Sequence, residues 1–205
     1  MSHAYSSIFA DRTSYFRHHF AAAIDASPDF TDGDNCFEVL RGVNFVAAHG
    51  GRVRDHRDSL SPNVVDNVDR GLAYSLADVA EAHLQQSRIA RAWLDLFEDI
   101  DVVICPAASS TPFPHNQWSV SEIDGETMET YMRWLGITYL PTMALACGIA
   151  LPCGLDQAGM PFGIQVLSAP GNDRLVAEVA KALESVLQCH DATRRPLPDL
   201  DSLRG

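Results

Sequence analysis

Residues 150–184, ALPCGLDQAGMPFGIQVLSAPGNDRLVAEVAKALE, decide the fold. Two short apolar runs, Ile149-Ala150-Leu151 and Phe162 to Leu167, bracket the turn-forming stretch Gly154-Leu155-Asp156-Gln157-Ala158-Gly159, which predicts an antiparallel hairpin or two neighbouring strands. In the second run Phe162, Ile164 and Val166 point to one face, and Gly163, Gln165 and Leu167 to the other. A helix is then expected from Asp173 to about Gln188, capped by Asn172 or Asp173, with Leu175, Val176, Val179, Ala180, Leu183, Val186 and Leu187 on a broad apolar stripe. Strand, strand and helix form a complete structural unit that contains no evident catalytic group.

Upstream, Val102-Val103-Ile104-Cys105 is a β-branched run stopped by Pro106, as a buried strand would be. The following loop, Ala107 to Val120, carries Pro112, Pro114 and several hydroxyls. Open α/β sheets place their sites in loops at the carboxyl ends of buried strands, so residues 106–118 are expected to wall a pocket. Before that strand, Ser75 and Asp78 have capping-box spacing, and Leu76, Ala80, Leu84, Ser87, Ala90, Leu94 and Phe97 hold one face of a helix of about six turns.

Three further helices are expected. One lies within Phe9–Ile24 and is broken at Ser27-Pro28-Asp29; a second carries Phe37, Leu40, Val43, Phe45 and Ala47-Ala48 and ends at Gly50-Gly51; a third runs through residues 122–136 to a stop near Gly136. Residues 52–71 read as a polar surface connection with a short helix after Pro62, and the tail after Cys189 has little to bury and reads as loose. The chain thus divides into a helical lead-in (1–27), a main unit (28–188) and a tail (189–205).

With 205 residues, 46% hydrophobic and 20% charged, the composition predicts a packed core rather than disorder. Fifteen Lys plus Arg against 27 Asp plus Glu give a net charge of -12, which argues against nucleic acid and anionic lipid as partners. There is no run of membrane-spanning length and no basic start followed by an apolar core, so the expected location is cytoplasmic. Five irregularly spaced cysteines (36, 105, 147, 153, 189) suggest neither a disulfide framework nor a metal knuckle, and no metal is expected.

The order of these features resembles the C-terminal part of the amidase signature family of hydrolases, from about Pro28 to Leu187. Its sharpest element is LPCG followed by GMPFGIQ: Pro152 and Gly154, then Gly159, Pro161, Gly163 and Gln165, similar to the family's Pro-x-Gly and Gly-x-Pro-x-Gly-x-Gln pattern. The resemblance implies an α/β fold with a central mixed sheet and packed helices, hydrolysis of a carboxamide C–N bond, and no metal or organic cofactor. It also implies a catalytic lysine, a bridging serine held by a cis peptide, and a nucleophilic serine in a Gly/Ser-rich segment that supplies the oxyanion hole. All of these belong to the family's N-terminal portion.

The residues themselves agree that this machinery is not here. The one lysine, Lys181, sits between alanines of the closing helix, with no Gly/Ser-rich partner segment, and reads as a solvated surface group. Ser109-Ser110-Thr111 lacks the glycine cradle that would aim backbone N–H groups at an oxyanion. His18, His19 and His83 have no carboxylate at a recognisable spacing, and Cys105 and Cys153 border prolines as small buried groups do.

The pocket wall is assigned to Pro106, Ala107, Thr111 and His115, with Thr142 from the segment before the hairpin. There, Thr142 to Gly148 departs from the family's Asn-x-x-Gly-x-Pro-Ala. Gly163 and Gln165 read as structural, with Gln165 pinning a neighbouring loop. Leu135, three residues before Thr138, stands where the glutamine-using branch has an acidic residue, so a less polar amide than glutamine is expected.

Two readings follow. In the first, the chain is the C-terminal portion of an amidase, inactive alone, whose partners are a missing N-terminal portion and a small amide substrate. In the second, suggested by Met1 and its helical lead-in, it is a freestanding non-catalytic binding or assembly protein, and homo-oligomerisation is expected to cover its sheet edge.

Overall fold

The computed structural model describes residues 1–198 and 200. In chain order the elements are α1 (His3–Phe16), α2 (Gly33–His56), α3 (Pro62–Ala73), α4 (Leu76–Leu96), β1 (Val103–Pro106), β2 (Glu122–Ile123), β3 (Glu126–Thr127), α5 (Gly136–Met143), β4 (Cys147–Leu155), β5 (Pro161–Ser168) and α6 (Asp173–Leu187). The main sheet has the order β1-β5-β4, with β5 antiparallel to both neighbours: Val103 faces Leu167, and Ile149 faces Val166. The class is α/β, with helices packed on the sheet, and the pairings within this chain are all antiparallel among the described residues.

The alternation along β5 separates two cores. Phe162, Ile164 and Val166 pack with Val176, Ala180, Leu183 and Leu187 of α6 and with Tyr5, Ile8 and Phe16 of α1. Tyr5 meets Phe162 edge to face at 5.1 Å. Leu167, on the other face, joins Cys36 and Val39 of α2, Ala82, Ile89 and Trp93 of α4, and Met143. The sheet is therefore covered on both sides.

Several elements differ from the sequence expectation, each for a local reason. α1 starts at His3, earlier than expected, because the Ser2 hydroxyl accepts the Tyr5 N–H at 3.2 Å; it ends at Phe16 and passes into a 3₁₀ turn. α2 runs through Gly50-Gly51 to His56. An interior glycine costs only about 1 kcal/mol relative to alanine, and packing against α3 outweighs it. Residues 52–71 are accordingly the end of α2, a 3₁₀ turn and α3, which has Pro62 in its first turn. Gly42 and Gly71 let the two helix backbones touch, since a Cβ on Gly71 would collide with the Gly42 carbonyl.

Residues 122–136 do not form a helix. Asp124 (φ 51°) and Gly125 (φ 87°) make a two-residue turn joining β2 to β3, the pair of left-handed residues that suits a hairpin. A 3₁₀ turn, Arg133–Leu135, then leads into α5 at Gly136, where a stop was expected. The segment after Cys189 is not loose at its start: Thr193 is fully buried and its hydroxyl donates to the Leu187 carbonyl at 2.7 Å. Gly154, at φ +83°, lies against it, and a side chain there would strike the Ala192 carbonyl.

α4 has the expected extent and capping box: Asp78 N–H donates to the Ser75 hydroxyl at 3.2 Å, and Ser75 N–H to the Asp78 carboxylate at 2.8 Å. Its buried face is the opposite of the one expected. Ala82, Ile89 and Trp93 face the core, whereas Leu76, Leu84 and Leu94 are 85%, 56% and 48% exposed. Trp93 packs between Phe30 and Phe97 and is the largest fully buried side chain, so the side carrying the most apolar area turns inward.

Ile89→Ala is therefore expected to cost about 2–5 kcal/mol in denaturant melts, and Leu84→Ala no more than about 0.5 kcal/mol. The reverse ranking would contradict this packing.

Candidate functional site

Gln165 lies on β5 between Cys105 of β1 and Ala150 of β4. Its Nε2 donates to the Pro106 carbonyl at 3.1 Å and the Ile137 carbonyl at 3.0 Å, with Cys105 Sγ at 3.3 Å. Both amide N–H groups are thus used, and they tie the end of β1 to the first turn of α5. Two residues earlier, the Gly163 carbonyl accepts the Ala107 N–H at 2.9 Å, and a Cβ on Gly163 would press on Ala107 and the Leu151 carbonyl. The loop after β1 is therefore rooted on β5. Further out, Ser2 N–H donates to the Ser109 carbonyl at 2.8 Å, and Phe113 meets Trp134 edge to face at 5.5 Å.

The remaining motif residues shape the hairpin. Pro152 pairs with Gly163, and Pro161 opens β5 opposite Leu155. Gly159 (φ +77°) closes the turn, where the Asp156 carboxylate accepts the Ala158 and Met160 N–H groups, both at 2.8 Å.

Of the five wall residues, Pro106 is buried and Ala107 half-buried at the loop root, whereas Thr111, His115 and Thr142 are exposed. The Thr142 hydroxyl donates to the Thr138 carbonyl one turn earlier. Gln165 brings the loop root, Pro106 and Ala107, close to α5, whereas Thr111, His115 and Thr142 lie on the surface. Two clefts lie elsewhere among the described residues: one of about 20 Å³ between α2, α3 and residues 130–132, and one of about 750 Å³ between Arg12, Gly154 and residues 188–197.

One polar cluster escapes sequence reasoning. Arg133 faces Asp34 at 3.5 Å, Glu38 at 3.6 Å and Glu129 at 3.7 Å. The Tyr139 hydroxyl donates to Asp34, and its ring stacks on Phe37 with centroids 3.9 Å apart. Burial, then the hydrogen bond to Asp34, push the Tyr139 phenol well above its ordinary range. Beside it, Arg41 bonds Tyr131 at 2.7 Å and Asn67 at 3.1 Å, with its guanidinium over the Phe45 ring. A phenol so held donates a hydrogen bond and is not a nucleophile near neutral pH. The cluster fastens residues 129–139 to α2. Asp34 and Glu38 are four residues apart, as are Glu129 and Arg133, but that spacing does not reveal that the two pairs meet.

Acid–base and nucleophilic candidates are likewise quiet. Lys181 is exposed on α6. Burial raises the thiols of Cys36 and Cys105 to about 11 and that of Cys153 to about 12, so all three stay protonated near neutral pH. No described helix is long and apolar enough to cross a membrane.

Comparison with known proteins gives a consistent picture. The amidase family matches residues 54–177. A fatty acid amide hydrolase of Medicago truncatula is 28% identical to this chain, covering 71% of it and 25% of the hydrolase. One component of the glutamyl-tRNA(Gln) amidotransferase of Cyanothece sp. is 34% identical over 46% of this chain and 18% of that component. An acylamidase of Rhodococcus erythropolis is 30% identical over 53% and 23%.

Among solved structures, an amidase superposes with a TM-score of 0.81 at 19% identity, covering 90% of this chain and 42% of the amidase. A chain from a vestigial protein complex, described as revealing the origins of an s-triazine catabolic enzyme, superposes at 0.80 and 21% identity, with 96% and 41% covered. The chain spans about a quarter or less of these curated relatives and about two fifths of these solved chains.

Removing the Gln165 tie with Gln165→Leu is expected to cost about 1–3 kcal/mol. It should also speed proteolysis in residues 107–121 while leaving α6 protected from amide exchange. An unchanged loop would show that Gln165 does not hold it.

Proposed function

The chain belongs to the amidase family, and from that premise we propose that it is the C-terminal part of an amidase-type hydrolase. In this reading it supplies scaffold and one wall of the pocket, while the catalytic lysine, bridging serine and nucleophilic serine come from a portion outside these 205 residues. The observation that carries the proposal is that 90% of the chain superposes on 42% of a solved amidase, while its one lysine lies exposed on α6.

In the assembled enzyme the nucleophilic serine adds to the amide carbonyl as its proton passes through the bridging serine towards the lysine. The tetrahedral oxyanion is held by backbone N–H groups, the amine leaves with a proton, and water then releases the acid. The proposed wall, Pro106, Ala107, Thr111, His115 and Thr142, faces that chemistry without taking part in it. Gln165, Gly163 and the turn around Asp156 act indirectly, by holding the loop root and the hairpin in place. An amide less polar than glutamine fits Leu135, half-buried in the 3₁₀ turn before Thr138, and the relatives named for fatty acid amide and acyl amide hydrolysis support that class.

A second reading, a freestanding non-catalytic binding or assembly protein, is supported by the fit to a chain from a vestigial complex and by α1, whose Tyr5, Ile8 and Phe16 complete a core.

The purified chain is expected to show no amide hydrolysis above the uncatalysed rate and no labelling by a serine-directed fluorophosphonate. Co-expression with an N-terminal amidase portion carrying the lysine and both serines is expected to give both. Serine-dependent turnover by the chain alone would contradict the proposal.

A further inference from the structure

The loop after β1 carries the largely exposed residues 111–118, and the first turn of α1 grips the chain on both sides of them. On one side the Ser2 N–H donates to the carbonyl of Ser109, a buried residue, at 2.8 Å. On the other the His3 N–H donates to the Asp124 carboxylate at 2.6 Å, with His3 Nδ1 2.9 Å from the same oxygen. Two adjacent residues thus hold the two legs of the loop. Between the root at Ala107 and Ser121, among the described residues, the bond from Ser2 to Ser109 is the one backbone hydrogen bond that ties the loop to another element; the Gln117 N–H only turns back on Pro114.

The first turn of α1 is itself held. The Ser2 hydroxyl accepts the Tyr5 N–H at 3.2 Å, the Ser6 hydroxyl donates to the Ser2 carbonyl at 3.1 Å, and buried Tyr5 packs edge to face on Phe162 of β5. Further along the helix, Arg12 Nη2 donates to the Leu155 carbonyl at the end of β4, at 2.9 Å. By contrast residues 21–27, on the way from α1 to α2, are all exposed, so docking contacts rather than the connecting chain set where α1 sits.

We propose that α1 is a strap for the pocket wall, in which Ser2 and Asp124 are positioning residues that hold the loop after β1 in the stance that admits the amide substrate. The inference rests on the reading of that loop as one wall of an amide pocket. β5 then holds the loop twice, at its root through Gly163 and Gln165 and further out through Tyr5 and α1. Loosening the strap lowers the fraction of molecules with the wall in place, and apparent substrate affinity falls with that fraction.

The first readout is limited proteolysis of the 205-residue chain, which needs no turnover. Ser2→Pro removes the N–H donor at a residue whose φ of -66° suits proline, and Asp124→Gly removes the carboxylate while keeping the left-handed turn. Each is expected to speed cleavage within residues 107–121 by about two- to tenfold, as loss of one hydrogen bond would, and the two together by more. Ser2→Ala, which loses the helix cap but keeps the N–H, should speed it less than Ser2→Pro, and Ser14→Ala, at an exposed position of α1, by no more than about twofold. Unchanged cleavage in Ser2→Pro or Asp124→Gly, or cleavage as fast in Ser2→Ala as in Ser2→Pro, would overturn the strap.

The second readout is kinetics of the chain co-expressed with an N-terminal amidase portion. Ser2→Pro should raise KM for a long-chain acyl amide more than about twofold and leave kcat within about twofold. A loosened loop with unchanged KM would overturn its link to the pocket. An assembly that is inactive with the unsubstituted chain would instead count against the amidase reading, and proteolysis would still decide the strap.

Discussion

The arrangement of this chain depends on β5, the one described strand with a neighbour on both edges, whose alternate side chains face a different helical layer on each side of the sheet. Phe162, Ile164 and Val166 are fully or almost fully buried under α1 and α6, while Leu167 reaches the core built by α2, α4 and α5. Between these positions Gly163 and Gln165 face a crowded surface where a larger or purely apolar side chain would not do. The glycine admits the backbone after β1, and the glutamine spends both amide N–H groups on carbonyls of two different segments. A short alternating run thereby fixes two cores and the root of the loop after β1. The position of that loop is thereby set by this strand.

The hairpin, α6 and the extent of α4 were legible because their signals are local: alternation, a turn between two strands, a cap three residues from its partner. Where reading failed, two local signals of similar strength competed. α4 offers two apolar sides, and only the mass of Trp93 and Ile89 against Phe30, Phe97 and Leu167 decides which turns inward. The paired glycines of α2 resemble a stop until α3 is seen packing beside that helix, at a contact that Gly42 and Gly71 make possible. Residues 122–136 are expected as a helix, whereas Asp124-Gly125 takes the two left-handed positions of a hairpin turn. The Arg133 cluster could not be read at all, since it joins residues about a hundred positions apart and pair spacing carries no information over that distance.

For function, the most informative feature was what the residues could not do. The one lysine lies on a solvated helix face, Ser109-Ser110-Thr111 lacks a glycine cradle, and burial raises the thiols of Cys36, Cys105 and Cys153. The family match and the superposition on two fifths of solved amidases are consistent with that result. β1 and β4, each paired on one edge only among the described strands, are where a sheet of this kind would continue.

The central claim is that this sequence works as part of an amidase. The most direct measurement is to recover it from its source cells with an antibody to the chain and determine by mass spectrometry the mass and composition of what carries it. The account predicts recovery with an amidase-family portion bearing the lysine and paired serines, either in the same polypeptide or as a stoichiometric partner. Recovery at 22.4 kDa with no such portion would contradict it.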